Sequence, residues 1–75
     1  MEPNNITNLN YPVVDNVTKI IDRKGLKRKK VASLSGFTEQ SFSDVVNGRR
    51  ILKVNEVIKI ANALDVSVDE LFKTD

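Results

Sequence analysis

The chain has 75 residues, room for one domain with a small core, and it contains no cysteine and no histidine. That composition excludes a disulfide scaffold and any thiolate or imidazole metal site as a source of stability. The net charge of +2 hides an asymmetry: residues 23–53 carry nine basic side chains against Glu39 and Asp44, a local +7, while the remainder sums to −5. A basic block of this kind points to a polyanionic partner, although a solvated charged surface is the plainer alternative.

Residues 1–11 are rich in asparagine with no sustained period, and are expected to form a flexible tail. From Pro12 a helical pattern begins. Val13, Val17, Ile20 and Ile21 fall at i, i+4, i+7 and i+8, the spacing of one helix face. Gly25 suits a left-handed terminating residue, which stops the first helix near Lys24.

A second helix is expected from about Arg28 to Leu34, within a unit of about 28–35, with Val31, Ala32 and Ser35 inward. Its N-terminus is poorly built for a free helix. Lys27 stands at the N-cap, where Ser, Thr, Asp or Asn is preferred by about 1 kcal/mol. Lys29 and Lys30 then crowd the positive end of the helix dipole. The arrangement makes sense if a phosphate docks there, accepting the free N–H groups and pairing with the side chains.

Gly36 breaks the pattern, and the Thr38 hydroxyl can cap a third helix from about Glu39 to Asn47, closed by Gly48. At about 100° per residue, Glu39, Ser43, Asn47, Gln40 and Asp44 share an arc of about 140°, opposite Phe42, Val45 and Val46. Glutamine can bond adenine bidentately, and a carboxylate can accept from cytosine N4. Any amphipathic surface helix has a polar face, so the arc gains its meaning from the basic residues flanking it.

Val54, Val57, Ile58, Ala61 and Leu64 mark a fourth helix, with Asp65 placed where aspartate tolerates positive φ. Ser67 and Glu70 have the spacing of a capping box for a short fifth helix, Val68 to Phe72. No strand pattern and no internal repeat is present. The chemistry of an enzyme is missing too: there is no phosphate loop and no convergent nucleophile and base. Asp69 and Glu70 belong to a cap, so no metal and no cofactor is assigned. The apolar runs are far short of the ~20 residues that span a bilayer, and the N-terminus lacks a signal pattern, so no membrane partner and a cytoplasmic location are expected.

Two short helices around Gly36, followed by two more, describe a helix-turn-helix. The segment LKRKKVASLSGFTEQSFSDVVNGRRILKVNEVIKIANALDVSVDELF, residues 26–72, resembles the Cro and phage-repressor (Xre-like) domains of that class. The marks are Ala32 in the second helix, Ser35-Gly36-Phe37-Thr38 at the turn, the Asn47-Gly48-Arg49 exit, and the IANALDVSVDELF helix pair. The resemblance implies an all-α, compact five-helix domain over 12–75 and a small repressor-like regulator that binds double-stranded DNA as a homodimer. It implies that the second helix braces the backbone while the third lies in the major groove. Carried over by position, Glu39, Gln40, Ser43 and Asp44 are the base contacts. By the same carry-over Arg28, Asn47 and Arg49 are candidate phosphate contacts, and Lys27, Lys29, Thr38 and Arg50 are added as further candidates.

Family members often pair an Arg of the first helix with a Glu near the end of the third. The equivalent positions here are Ile21 and Val46, which are predicted to touch. Val66, Leu71 and Phe72 are expected to close the core or, alternatively, to form a dimer surface. The competing reading of the whole chain is a protein-interaction module, such as an antitoxin-like partner of a toxin or another regulator.

Overall fold

The computed structural model describes residues 10–74, so the expectation of a flexible tail lies outside the described residues for positions 1–9. Five helices follow in order: α1 Asn10–Lys24, α2 Arg28–Leu34, α3 Glu39–Val46, α4 Val54–Leu64 and α5 Val68–Leu71. None of the described helices is long and apolar enough to cross a membrane. Tyr11 has extended dihedrals (φ −107°, ψ 131°), so regular winding starts at Pro12, a residue whose fixed φ and missing N–H suit a first turn. Val13, Val17, Ile20 and Ile21 are buried, as their spacing predicts.

Asn10 corrects the tail boundary. Its Nδ2 donates to the Arg50 carbonyl at 2.9 Å, and its Oδ1 accepts from the Leu52 N–H at 3.1 Å. The side-chain amide thus mimics a strand neighbour for the loop between α3 and α4, fastening it to the start of α1. Leu52, which belongs to no periodic pattern, is buried in that loop.

The α2–α3 turn is built by local bonding. Gly36 adopts φ 82°, and the following Phe37 N–H reaches back to the Ala32 carbonyl at 2.8 Å, satisfying a carbonyl that α2 leaves open. Buried Ser35 returns its hydroxyl to the Val31 carbonyl at 2.6 Å, so burial leaves no polar atom orphaned. Thr38 caps α3 reciprocally with Ser41: each side chain accepts from the other's backbone N–H at 3.0 Å. Phe42 and Val45 project from α3 into the core, with Val46 half-buried against it. Ile21 belongs to the same core, and α1 packs on α3.

In the C-terminal half α4 forms where its apolar residues mark it, while its buried face and the capping of α5 are settled by packing. The buried face of α4 is Val57, Ile60, Ala61 and Leu64, whereas Val54 and Ile58 are exposed. α4 is apolar on more than one side, so periodicity alone offered two stripes. The stripe that packs against α1, α2 and α5 is the one without Val54 and Ile58. The expected cap on α5 is also absent, because the Ser67 side chain makes no cap hydrogen bond. The fifth helix, ending at Leu71 rather than Phe72, is held from its other end. Leu71 is fully buried, and Asn16 Nδ2 donates to the Leu71 and Lys73 carbonyls at 2.8 and 2.9 Å. Asp65 does take the left-handed conformation, φ 60°.

Candidate nucleic-acid interface

The N-terminus of α2 has the character its sequence foretells. Lys27 occupies the N-cap in an extended conformation and provides no side-chain cap. Lys27, Arg28, Lys29 and Lys30 are all exposed, and among the described residues none has a side-chain hydrogen bond or ion pair. Four cations therefore stand in solvent beside backbone N–H groups that have no side chain to satisfy them.

This end of α2 opens onto α3. A surface cleft is lined by Arg28 and Lys29 on one side and by Glu39, Gln40 and Ser43 on the other, with Ala32 and Phe42 as its floor. Five of the sequence-derived contact residues thus share one concavity. Along α3 the polar arc is internally wired through pairs four residues apart. Gln40 Nε2 donates to Asp44 Oδ1 at 3.0 Å, and Asn47 Nδ2 donates to Ser43 Oγ at 3.2 Å. Glu39 has no such partner among the described residues and sits in the first turn, where the helix dipole favours an anion.

The exit loop separates its two arginines. Gly48 at φ 78° lets the Arg49 N–H bond the Asp44 carbonyl at 2.7 Å, which ends α3 and turns the chain outward. Arg49 is 69% exposed and lies 3.8 Å from Asp44 Oδ1, a loose, water-screened pair that leaves the guanidinium available. Arg50 is different. Its Nη2 donates to Glu56 Oε2 at 2.6 Å, and its guanidinium lies over the Phe37 ring, 5.2 Å from the centroid. Glu56 also accepts from the Lys53 N–H at the start of α4. Arg50 therefore rivets the turn before α3 to α4, and its charge is already spent.

Thr38 and Arg50, both expected to touch phosphate, line a second cleft with Ser41, Glu56 and Lys59. The Thr38 hydroxyl accepts from the Ser41 N–H and donates within the same cap. Lys24, counted in the basic block, is diverted as well: its Nζ donates to the Leu64 carbonyl at the end of α4, at 2.8 Å. The sequence reading missed Asn10, Ser41 and Glu56. The i, i+3 spacing of Thr38–Ser41 and of Lys53–Glu56, that of a box closing on a helix start, gave a local signal for Ser41 and Glu56; Asn10 had none.

Arg50→Ala is expected to lower folding stability by about 1–3 kcal/mol, less than for a fully buried pair because the Arg50 side chain is 35% exposed. Urea denaturation checks this, and the salt dependence of DNA binding by the folded variant is expected to match wild type.

Comparisons with known proteins bear on the fold and the family. A family model described as helix-turn-helix (HTH_3) matches residues 18–71. The restriction-modification controller protein C.AhdI from Aeromonas hydrophila is 30% identical, with a TM-score of 0.74 over 80% of this chain and 91% of that one. The clp gene regulator ClgR from C. glutamicum shares the fold at 20% identity, with a TM-score of 0.77 over 93% of this chain and 86% of that one. The wild-type restriction-modification controller protein C.Esp1396I does so at 24% identity, TM-score 0.72, over 89% and 96%. No curated protein matches the chain. With a family model over most of its length and a controller protein at 30% identity, the chain belongs to the Cro and phage-repressor type of helix-turn-helix proteins, and is a DNA-binding transcriptional regulator.

Proposed function

We propose that this regulator recognises a specific duplex sequence, with α3 in the major groove and the start of α2 against the phosphate backbone, and that it represses transcription from the site it occupies, in the cytoplasm and without a catalytic step. The observation that carries this reading is the cleft joining Arg28 and Lys29 to Glu39, Gln40 and Ser43. Unpartnered cations adjoin a short-chained, amide-rich helix face. Lys27, Arg28, Lys29, Asn47 and Arg49 neutralise or bond phosphates, which position the protein, and the α3 arc meets base edges, which specify the site. Arg50 and Thr38 support the surface from behind.

Binding as a homodimer follows from the size of the module, since one recognition helix reads a half-site and a pair spaced ~34 Å apart reads a two-fold operator. Val54 and Ile58, one turn apart on α4, are 67% and 46% exposed, and Ile51 just ahead of them is 62% exposed. A second copy of this chain is the occupant proposed for that face. Three side chains supply only part of the ~800 Å² per partner in a standard interface, which fits a weak dimer completed on DNA. Of the earlier candidates for that surface, Val66 and Leu71 are turned to the core, whereas Phe72 is 43% exposed.

Selection from a random duplex library, repeated across a salt series, tests the proposal. The expected product is a palindromic site with half-sites one helical turn apart. A non-palindromic site would contradict the dimer, and no enrichment even at low salt would favour the interaction-module reading.

A further inference from the structure

A carboxylate on a DNA-reading helix needs a reason, because it is repelled by the phosphates around it. Asp44 has one in the geometry of its neighbours. Its Oδ1 accepts from Gln40 Nε2 at 3.0 Å and lies 3.8 Å from Arg49 Nη1. A carboxylate only accepts hydrogen bonds, so the amide must turn its NH2 group toward Asp44 and its carbonyl away. Chemistry, rather than chance rotation, sets which end of Gln40 faces where.

The pairing also changes what Gln40 can offer a base. An amide has two N–H donors and one carbonyl. With one donor committed to Asp44, a single N–H and Oε1 remain. In the major groove adenine presents an acceptor, N7, beside a donor, the N6 amino group. Guanine presents two acceptors, N7 and O6. The remaining N–H and Oε1 match adenine in both places. Against guanine, Oε1 would face O6 with no proton between them, and the second amide donor is held by Asp44. A glutamine without this tie is free to swing or to turn both N–H groups toward guanine.

We propose that Asp44 is a positioning residue that holds Gln40 in an adenine-reading orientation, so that the carboxylate confers selectivity without touching a base. Arg49 offsets part of the charge, which lets an anion sit on this face at reduced cost to affinity. Docking strengthens the arrangement, since water that competes for the Gln40–Asp44 bond is displaced from the groove. The inference rests on the reading of α3 as the groove-bound helix, and replaces a direct base contact by Asp44 with an indirect one.

The test compares wild type with Asp44→Asn and Asp44→Ala in library selection, followed by competition titrations at the position whose preference Gln40→Ala abolishes. Asp44 is half-exposed and outside the core, and matching circular dichroism melts confirm that each variant folds. Wild type is expected to prefer adenine over guanine there. Asp44→Asn, whose amide can either accept from Gln40 Nε2 or donate to Gln40 Oε1, no longer fixes the orientation, and is expected to lose part of that preference while binding all duplexes more tightly. Asp44→Ala is expected to lose about tenfold in adenine-over-guanine preference, within the range one bidentate pair supplies, with other positions unchanged. If Asp44→Ala selects adenine as strongly as wild type, the positioning role is overturned. If either variant instead alters a separate cytosine-bearing position, Asp44 is a direct reader and the proposal fails. A wild type that enriches no sequence would overturn the groove reading itself, an outcome distinct from both.

Discussion

Phe42→Ala is expected to destabilise the protein by about 3–5 kcal/mol, measured by urea or thermal denaturation followed by circular dichroism. Phe42 is 2% exposed and among the largest side chains in the core. It meets Phe37 edge-to-face with ring centroids 5.8 Å apart, and Phe37 in turn lies beneath Arg50. Truncation therefore removes buried apolar surface, leaves a cavity, and loosens the contact that seats the turn before α3. A chain of this length has a total stability on the order of 4–11 kcal/mol, so the variant is expected to be largely unfolded or close to it. Leu34→Ala is the control: Leu34 is 59% exposed, and a change within about 0.5 kcal/mol is expected. A loss below 1 kcal/mol for Phe42→Ala would mean that α3 is not anchored through this side chain.

Removing Lys27, Arg28 and Lys29 together, each to alanine, is expected to weaken binding to every duplex about a hundredfold at physiological salt. If each neutralises one phosphate, the slope of log K against log salt shrinks by about 2.7, at 0.9 per contact. Base preference is expected to stay unchanged, because phosphate contacts carry no sequence information. Stability is expected to hold or rise slightly. Three cations leave the positive end of the α2 dipole, and alanine is a better helix former than either residue it replaces. Filter binding or fluorescence anisotropy across a salt series reads the first effect, and denaturation reads the second. Unaltered affinity in the folded triple variant would remove the start of α2 from the interface.

The helices were legible because their signals are local. The 3.6-residue spacing of Val13, Val17, Ile20 and Ile21, and the glycines after α2 and α3, mark elements from a few residues at a time. The unusual cation at the α2 N-cap was legible for the same reason. What escaped were pairings across sequence distance. Lys24 bonding the end of α4 and Asn10 clasping the Arg50–Leu52 loop span some forty residues, and nothing near either residue announces its partner. Arg50 and Arg49 are adjacent and chemically identical in sequence, yet Glu56 and Phe37 claim only one of them. The buried stripe of α4 could not be chosen from its own pattern, since packing by α1, α2 and α5 decides it. The face of α3 was read correctly, but the Gln40–Asp44 bond that organises it depends on rotamers that sequence does not specify.

The most direct test of the account is library selection with Gln40→Ala beside wild type at one salt concentration. Wild type is expected to enrich a two-fold site, and the variant to lose its preference at one base pair in each half-site while keeping the rest. An identical enriched site for both proteins would contradict the assignment of α3 as the reading helix.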